Sequence, residues 1–168
     1  MHPHLPEKPQ PGQGDRRDQE DDGAAPLTDF LASLTGQWRF NRSIDDGSSM
    51  TGMATFTPCD AKKSDYREQG RLHLFDGRTL DARRRYIFDE TESGFAVFFA
   101  ENPPRFFHRI ALARIGPNFA GAATHFCADD RYDTRYEFRA DGSFVIAHNV
   151  SGPRKAYAME TRYVRALL

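Results

Sequence analysis

The sequence predicts an all-β fold, a single up-and-down antiparallel β-barrel of about ten strands preceded by a short N-terminal helix. Three observations carry this expectation. Runs rich in aromatic and β-branched residues follow one another from residue 37 onward, turn signals interrupt them about every 10 to 15 residues, and no helix-period segment of crossover length lies between them. Strands joined by short turns pair antiparallel, and about ten of them curl into a closed barrel that removes exposed edges.

Residues 1–26 are rich in Pro, Gln, Gly and Asp and set six acids (Glu7, Asp15, Asp18, Glu20, Asp21, Asp22) against three bases (Lys8, Arg16, Arg17). Such a segment buries too little to fold and reads as a disordered tail, with the barrel assigned to 27–168. Thr28-Asp29 then offers a polar start to a short helix, Phe30-Leu31-Ala32-Ser33-Leu34, which ends at Gly36. The expected strands span 37–45, 50–57, 65–75, 79–89, 95–100, 106–113, 119–127, 131–139, 143–151 and 156–166. Asp46-Gly47, Asp76-Gly77 and Asp141-Gly142 are the clearest turns, because glycine accepts the positive φ that tight hairpins need. Further breaks fall at Ser93-Gly94, Asn102-Pro103-Pro104, Gly116-Pro117-Asn118, Ala128-Asp129-Asp130 and Gly152-Pro153.

A chain of 168 residues suits one domain that buries roughly 70% of its unfolded surface. Hydrophobic residues make up 39% and charged residues 28%, and the mean hydropathy of -0.69 fits sheets that show one face to water. The net charge of -1, from 23 basic and 24 acidic residues, provides no field for nucleic acid or an anionic membrane. No segment approaches the roughly 20 apolar residues of a membrane span and no signal peptide is apparent, so no membrane insertion and a cytoplasmic location are expected. Cys59 and Cys127 lack metal or redox spacing; they fall at opposite ends of the barrel and should stay reduced.

Leu34-Thr35-Gly36-Gln37-Trp38 resembles the Gly-x-Trp signature that opens the first strand of lipocalins and related calycins. The resemblance implies that Trp38 plugs the closed end beneath a basic residue of the last strand. Arg165 is the preferred partner, in phase with Tyr157, Met159, Thr161 and Tyr163, with Arg162 second. The region 27–168 also resembles an uncharacterised family of small bacterial proteins, domain of unknown function 6314. The resemblance rests on Gly36-x-Trp38, Phe107-His108, His125-Phe126-Cys127 and the run from Val150 to Lys155 followed by Tyr157, and it implies no activity. Fatty-acid-binding proteins carry an Arg-x-Tyr pair in the last strand; here Arg162 and Tyr163 are adjacent and point to opposite faces, so that site does not carry over.

Turns alternate between the ends of an up-and-down barrel, so those near 46, 76, 103, 129 and 153 should share the open end. Period-2 alternation groups Phe106, His108 and Ile110 inward, with His125 and Cys127, Tyr132, Tyr136 and Phe138, Phe144, Ile146, His148 and Val150, and Tyr157 with Met159. His108, His125, Tyr132, His148 and Tyr157 then meet near the mouth, with Arg154 and Lys155 on a neighbouring turn. Within Arg83-Arg84-Arg85, which reads mainly as a surface run, Arg84 is the pocket candidate because it is in phase with Tyr86.

Such a mouth suits a small apolar or amphiphilic ligand, its apolar part lying below against Phe40, Phe56, Phe144 and Ile146. Three alternatives stand beside that reading. The same cavity suits an enzyme for a small hydrophobic substrate, although Cys127 and His125 have no evident oxyanion hole. His108 and His125 on adjacent strands make only two metal ligands, and the glycine-rich opening of haem barrels is absent, so no metal and no particular cofactor is assigned. A filled barrel whose surface binds another protein is the last. The sequence does not name an oligomeric state.

Overall fold

Chain order and spatial order coincide almost throughout. The computed structural model describes residues 29–167, so the tail assigned to 1–26 lies outside the described residues. A helix, α1 (Phe30–Leu34), leads into eleven strands: β1 (Gly36–Ile44), β2 (Ser49–Asp60), β3 (Lys63–His73), β4 (Thr79–Glu90), β5 (Gly94–Phe99), β6 (Arg105–Ala111), β7 (Ala113–Ile115), β8 (Asn118–Cys127), β9 (Asp130–Phe138), β10 (Phe144–Ser151) and β11 (Ala156–Arg165). One antiparallel sheet of order β6-β5-β4-β3-β2-β1-β11-β10-β9-β8-β7 contains them all, and the β1–β11 ladder joins the first strand to the last.

The strand expected over 106–113 is broken at Leu112. Its N–H bonds the Ser93 carbonyl at 2.8 Å and its side chain is buried, so β6 ends and a short β7 begins. β6 pairs with β5, β7 pairs with β8, and β6 packs on β8 without a ladder, so the barrel nearly closes at this seam. Gly121 permits the approach: a Cβ there would stand 2.4 Å from the Ala111 carbonyl oxygen and 2.6 Å from Ile110 Cγ2.

Two local expectations are corrected. Asp29 takes a left-handed conformation (φ 65°) and does not cap α1 with its side chain; the Leu31 N–H instead donates to Glu90 Oε1 on β4 at 3.0 Å. Phe106 faces solvent rather than the lumen. A bulge pairs Val97 with His108 but Phe98 with Phe106, leaving Phe107 as the extra residue, so Phe107 and His108 are both buried.

The lower half is a packed aromatic core. Trp38 donates its indole N–H to the Leu34 carbonyl at 2.9 Å, and the Arg165 guanidinium carbon stands 4.1 Å from the ring centroid. Arg165 is fastened by Nη1 to the Thr35 carbonyl at 2.6 Å and by Nη2 to that of Ser33. Gly36 makes room for this clasp, since at φ 122° a Cβ would stand 3.0 Å from Arg165 Nη1. Arg162 lies outside, 3.5 Å from Glu160. Above Trp38, Phe144 meets its ring edge-on at 4.8 Å and stacks on Tyr163 at 4.3 Å, while Phe56 contacts Phe88 at 5.3 Å. The apolar chamber expected against Phe40, Phe56, Phe144 and Ile146 is therefore filled by those side chains themselves, all of them buried. Both cysteines are free and exposed. Among the described residues no helix is long and apolar enough to cross a membrane.

Candidate functional site

The hollow part of the barrel is its upper half, where three compartments share lining residues. One of about 270 Å³ is bounded by Arg84, Phe107, His125, Tyr132, His148 and Tyr157. A second of about 520 Å³ lies toward β2–β4, against Met50, Leu72, Ala82, Arg84, Arg154 and Tyr157. The third, about 20 Å³, sits deeper among Arg42, Tyr66, Glu68, Arg84, His108 and Tyr163 and has room for about one water. A depression of about 690 Å³ lies on the face of β8–β11 that carries Ala122, Ala147 and Ala158, and it shares His148 and Met159 with the first compartment.

The sequence candidates divide among these spaces. His125, Tyr132, His148, Tyr157 and Arg84 border the first compartment. His108 lies deeper, with Nε2 2.9 Å from Tyr136 Oη and Nδ1 buried without a partner. Arg154 and Lys155 edge the second compartment; Lys155 lies beside Tyr132 of the His-Tyr wall, and its Nζ is 3.6 Å from Asp130. Arg84 points into the lumen and its neighbour Arg85 out of it, where it pairs with Asp65 at 2.9 Å. Alternation along β4 separates the two. Cys127 borders the first compartment beside His125. Among the described residues no group of three or more His, Cys, Asp or Glu side chains could hold a metal ion.

Beneath the mouth lies an ionised network that the sequence reading did not single out. Arg42 on β1 donates Nε to Thr161 Oγ1 at 2.7 Å and Nη2 to Glu68 Oε1 at 3.1 Å. The second Glu68 oxygen is 2.9 Å from Arg42 Nη2, with no donor aligned to it. Tyr66 donates to Glu68 at 3.3 Å and shares a 2.8 Å hydrogen bond with Tyr163. The available signal was phase: Arg42 follows Trp38 and Phe40 on the inward face of β1, and Glu68 follows Tyr66 on β3. A charge on an inward face requires a partner, and this pair is 26 residues apart in sequence.

This environment holds two imidazoles neutral. Burial, with lesser contributions from His148 and His125, lowers the His108 pKa to about 3. Burial and then the charges of Arg84 and Arg42 lower that of His148 to about 4, and its Nδ1 lies 2.9 Å from Thr134 Oγ1. Burial also drives the Tyr66 and Tyr136 hydroxyls well above their ordinary range, so both stay protonated. The lumen thus offers neutral imidazoles and phenols around fixed guanidiniums: hydrogen-bond donors and acceptors with a positive bias.

A family model matches residues 34–165, nearly all of the described barrel. The chain belongs to the Family of unknown function (DUF6314). No curated protein matches. Among solved structures, the S-type phycobiliprotein lyase CPES from Guillardia theta is similar, with a TM-score of 0.60 at 12% identity over 90% of this chain and 99% of that one. A redesigned β-barrel, mFAP1, bound to DFHBI gives a TM-score of 0.46 at 14% identity over 80% and 97%. A de novo designed fluorescence-activating β-barrel gives 0.45 at 15% identity over 82% and 98%. The lyase likeness shows a shared barrel fold and transfers no activity.

Proposed function

We propose that this DUF6314 protein binds a small organic ligand in the upper half of its barrel, with His125, Tyr132, His148, Tyr157 and Arg84 as contact residues and His108, Arg154 and Lys155 behind or beside them. The observation that carries the reading is the contrast between the two halves. The lower half is packed solid, whereas the upper half holds about 270 Å³ and about 520 Å³ of space edged by aromatic rings and polar groups. A concave, largely apolar surface with a few convergent polar groups is the general form of a small-molecule site. The filled-barrel reading is less well supported, because a barrel serving only as a platform has no need of that space.

Native mass spectrometry of the purified protein, together with binding of the neutral dye Nile red, tests the proposal. Retained small-molecule mass or saturable dye fluorescence is expected; Tyr157→Phe should weaken either signal while leaving the melting temperature nearly unchanged, and His148→Ala should weaken it too while also lowering the melting temperature by orphaning the buried Thr134 hydroxyl. Absence of both signals in folded wild-type protein would refute it.

A further inference from the structure

The charges facing the lumen do not balance. Glu68 is the buried carboxylate at its floor, and two guanidiniums face it: Arg42, and Arg84, its cross-strand partner in the β3–β4 ladder. Arg42 is committed to Glu68, Thr161 and the Met50 sulfur. Arg84 is not: it lines the lumen yet stays exposed to solvent, and among the described residues no carboxylate lies within 4 Å of its guanidinium, which stands 5.8 Å from the Tyr86 ring centroid. It borders all three compartments. At the rim Arg105 is paired with Glu101 at 3.0 Å and Lys155 with Asp130 at 3.6 Å, and among the described residues Asp46 is the one further carboxylate lining the second compartment, against Arg83, Arg84 and Arg154.

Building on the ligand-binding reading, we infer that the ligand is an amphiphile with a carboxylate head, seated head-inward on Arg84, its apolar part running outward past Phe99, Phe107 and Met159. This reverses the orientation that an apolar chamber below a polar mouth would impose. The floor is ionic, so an apolar end pushed inward would strip water from Arg42, Glu68 and Arg84 and return no hydrogen bonds. A carboxylate instead gives the Arg84 fork the bidentate partner it lacks. His148 Nε2 borders the same space as a second polar contact, because Thr134 occupies Nδ1. An ammonium head fits poorly: the Glu68 oxygens face Arg42 and Tyr66, and Arg84 repels it.

Displacement of Nile red by decanoate, decanol and decyltrimethylammonium, three probes of equal chain length, tests the inference at pH 7. Decanoate should compete about tenfold more tightly than decanol, with decyltrimethylammonium weakest. Arg84→Met, which keeps an unbranched side chain without charge, should bring decanoate to the level of decanol and leave decanol unchanged; Arg84→Lys should keep most of the preference. If Arg84→Met does not fold, raising salt from roughly 0.05 to 0.5 M in wild type serves in its place, weakening decanoate but not decanol. Equal competition by all three probes, a preference for the ammonium, or a decanoate preference that survives both Arg84→Met and high salt overturns the carboxylate site while leaving the ligand-binding cup intact. Absence of both Nile red binding and retained small-molecule mass refutes the cup, and the site with it.

Discussion

Lowering the pH from 7 to 5 should remove about 4 kcal/mol of folding stability through two imidazoles, about 2 from each. His108 and His148 have folded pKa values near 3 and 4 against 6.5 for an unperturbed side chain. The unfolded chain therefore takes up both protons first. The stabilisation is fully present above about 6.5, falls away below it, and levels off only once pH reaches the folded values. Between pH 6 and 5 the slope should approach about 2.7 kcal/mol per pH unit for two protons. Urea unfolding followed by circular dichroism at pH 7, 6 and 5 measures it by linear extrapolation. His108→Gln isolates one contribution, because Gln keeps a donor and an acceptor for the Tyr136 hydroxyl but does not titrate. Its slope should fall to about 1.4 kcal/mol per pH unit whatever its stability at pH 7. Equal stability at pH 7 and 5, or a variant slope matching wild type, would show that His108 is solvated and not sealed behind Phe107.

Three further outcomes are expected. Trp38→Ala should destabilise the barrel by about 3 to 5 kcal/mol and Arg165→Met by about 1, read from chemical denaturation; a smaller loss at Trp38 than at Arg165 would contradict the plug. Glu68→Gln leaves the Arg42 charge buried and uncompensated and should destabilise by about 3 kcal/mol, whereas Arg42→Met combined with Glu68→Gln should recover part of that loss in a double-mutant cycle. Cys59 and Cys127 should both react with a thiol reagent in native protein without prior reduction, and blocked thiols would contradict their exposed, separate positions.

The sequence by itself determined the all-β class, the short helix, most strand boundaries and the inward phase of Tyr132, Tyr136, Phe144, Ile146 and Tyr163, because hairpin turns and period-2 alternation are local properties. Tertiary structure decided the rest. The Phe107 bulge and the Leu112 break arise where β6 must follow β5 and then reach β8, a constraint of closure that no local window contains. Alternation placed Phe40, Phe56 and Phe144 on the inner face but could not say whether that face surrounds a void; ring-on-ring packing across the barrel fills it. The ionised floor is equally non-local. Arg42, Glu68, Tyr163 and Arg84 come from four strands, and which charge stands paired and which stands spare depends on the distances between their tips. Those distances follow from strand register and barrel curvature, and from no spacing along the chain.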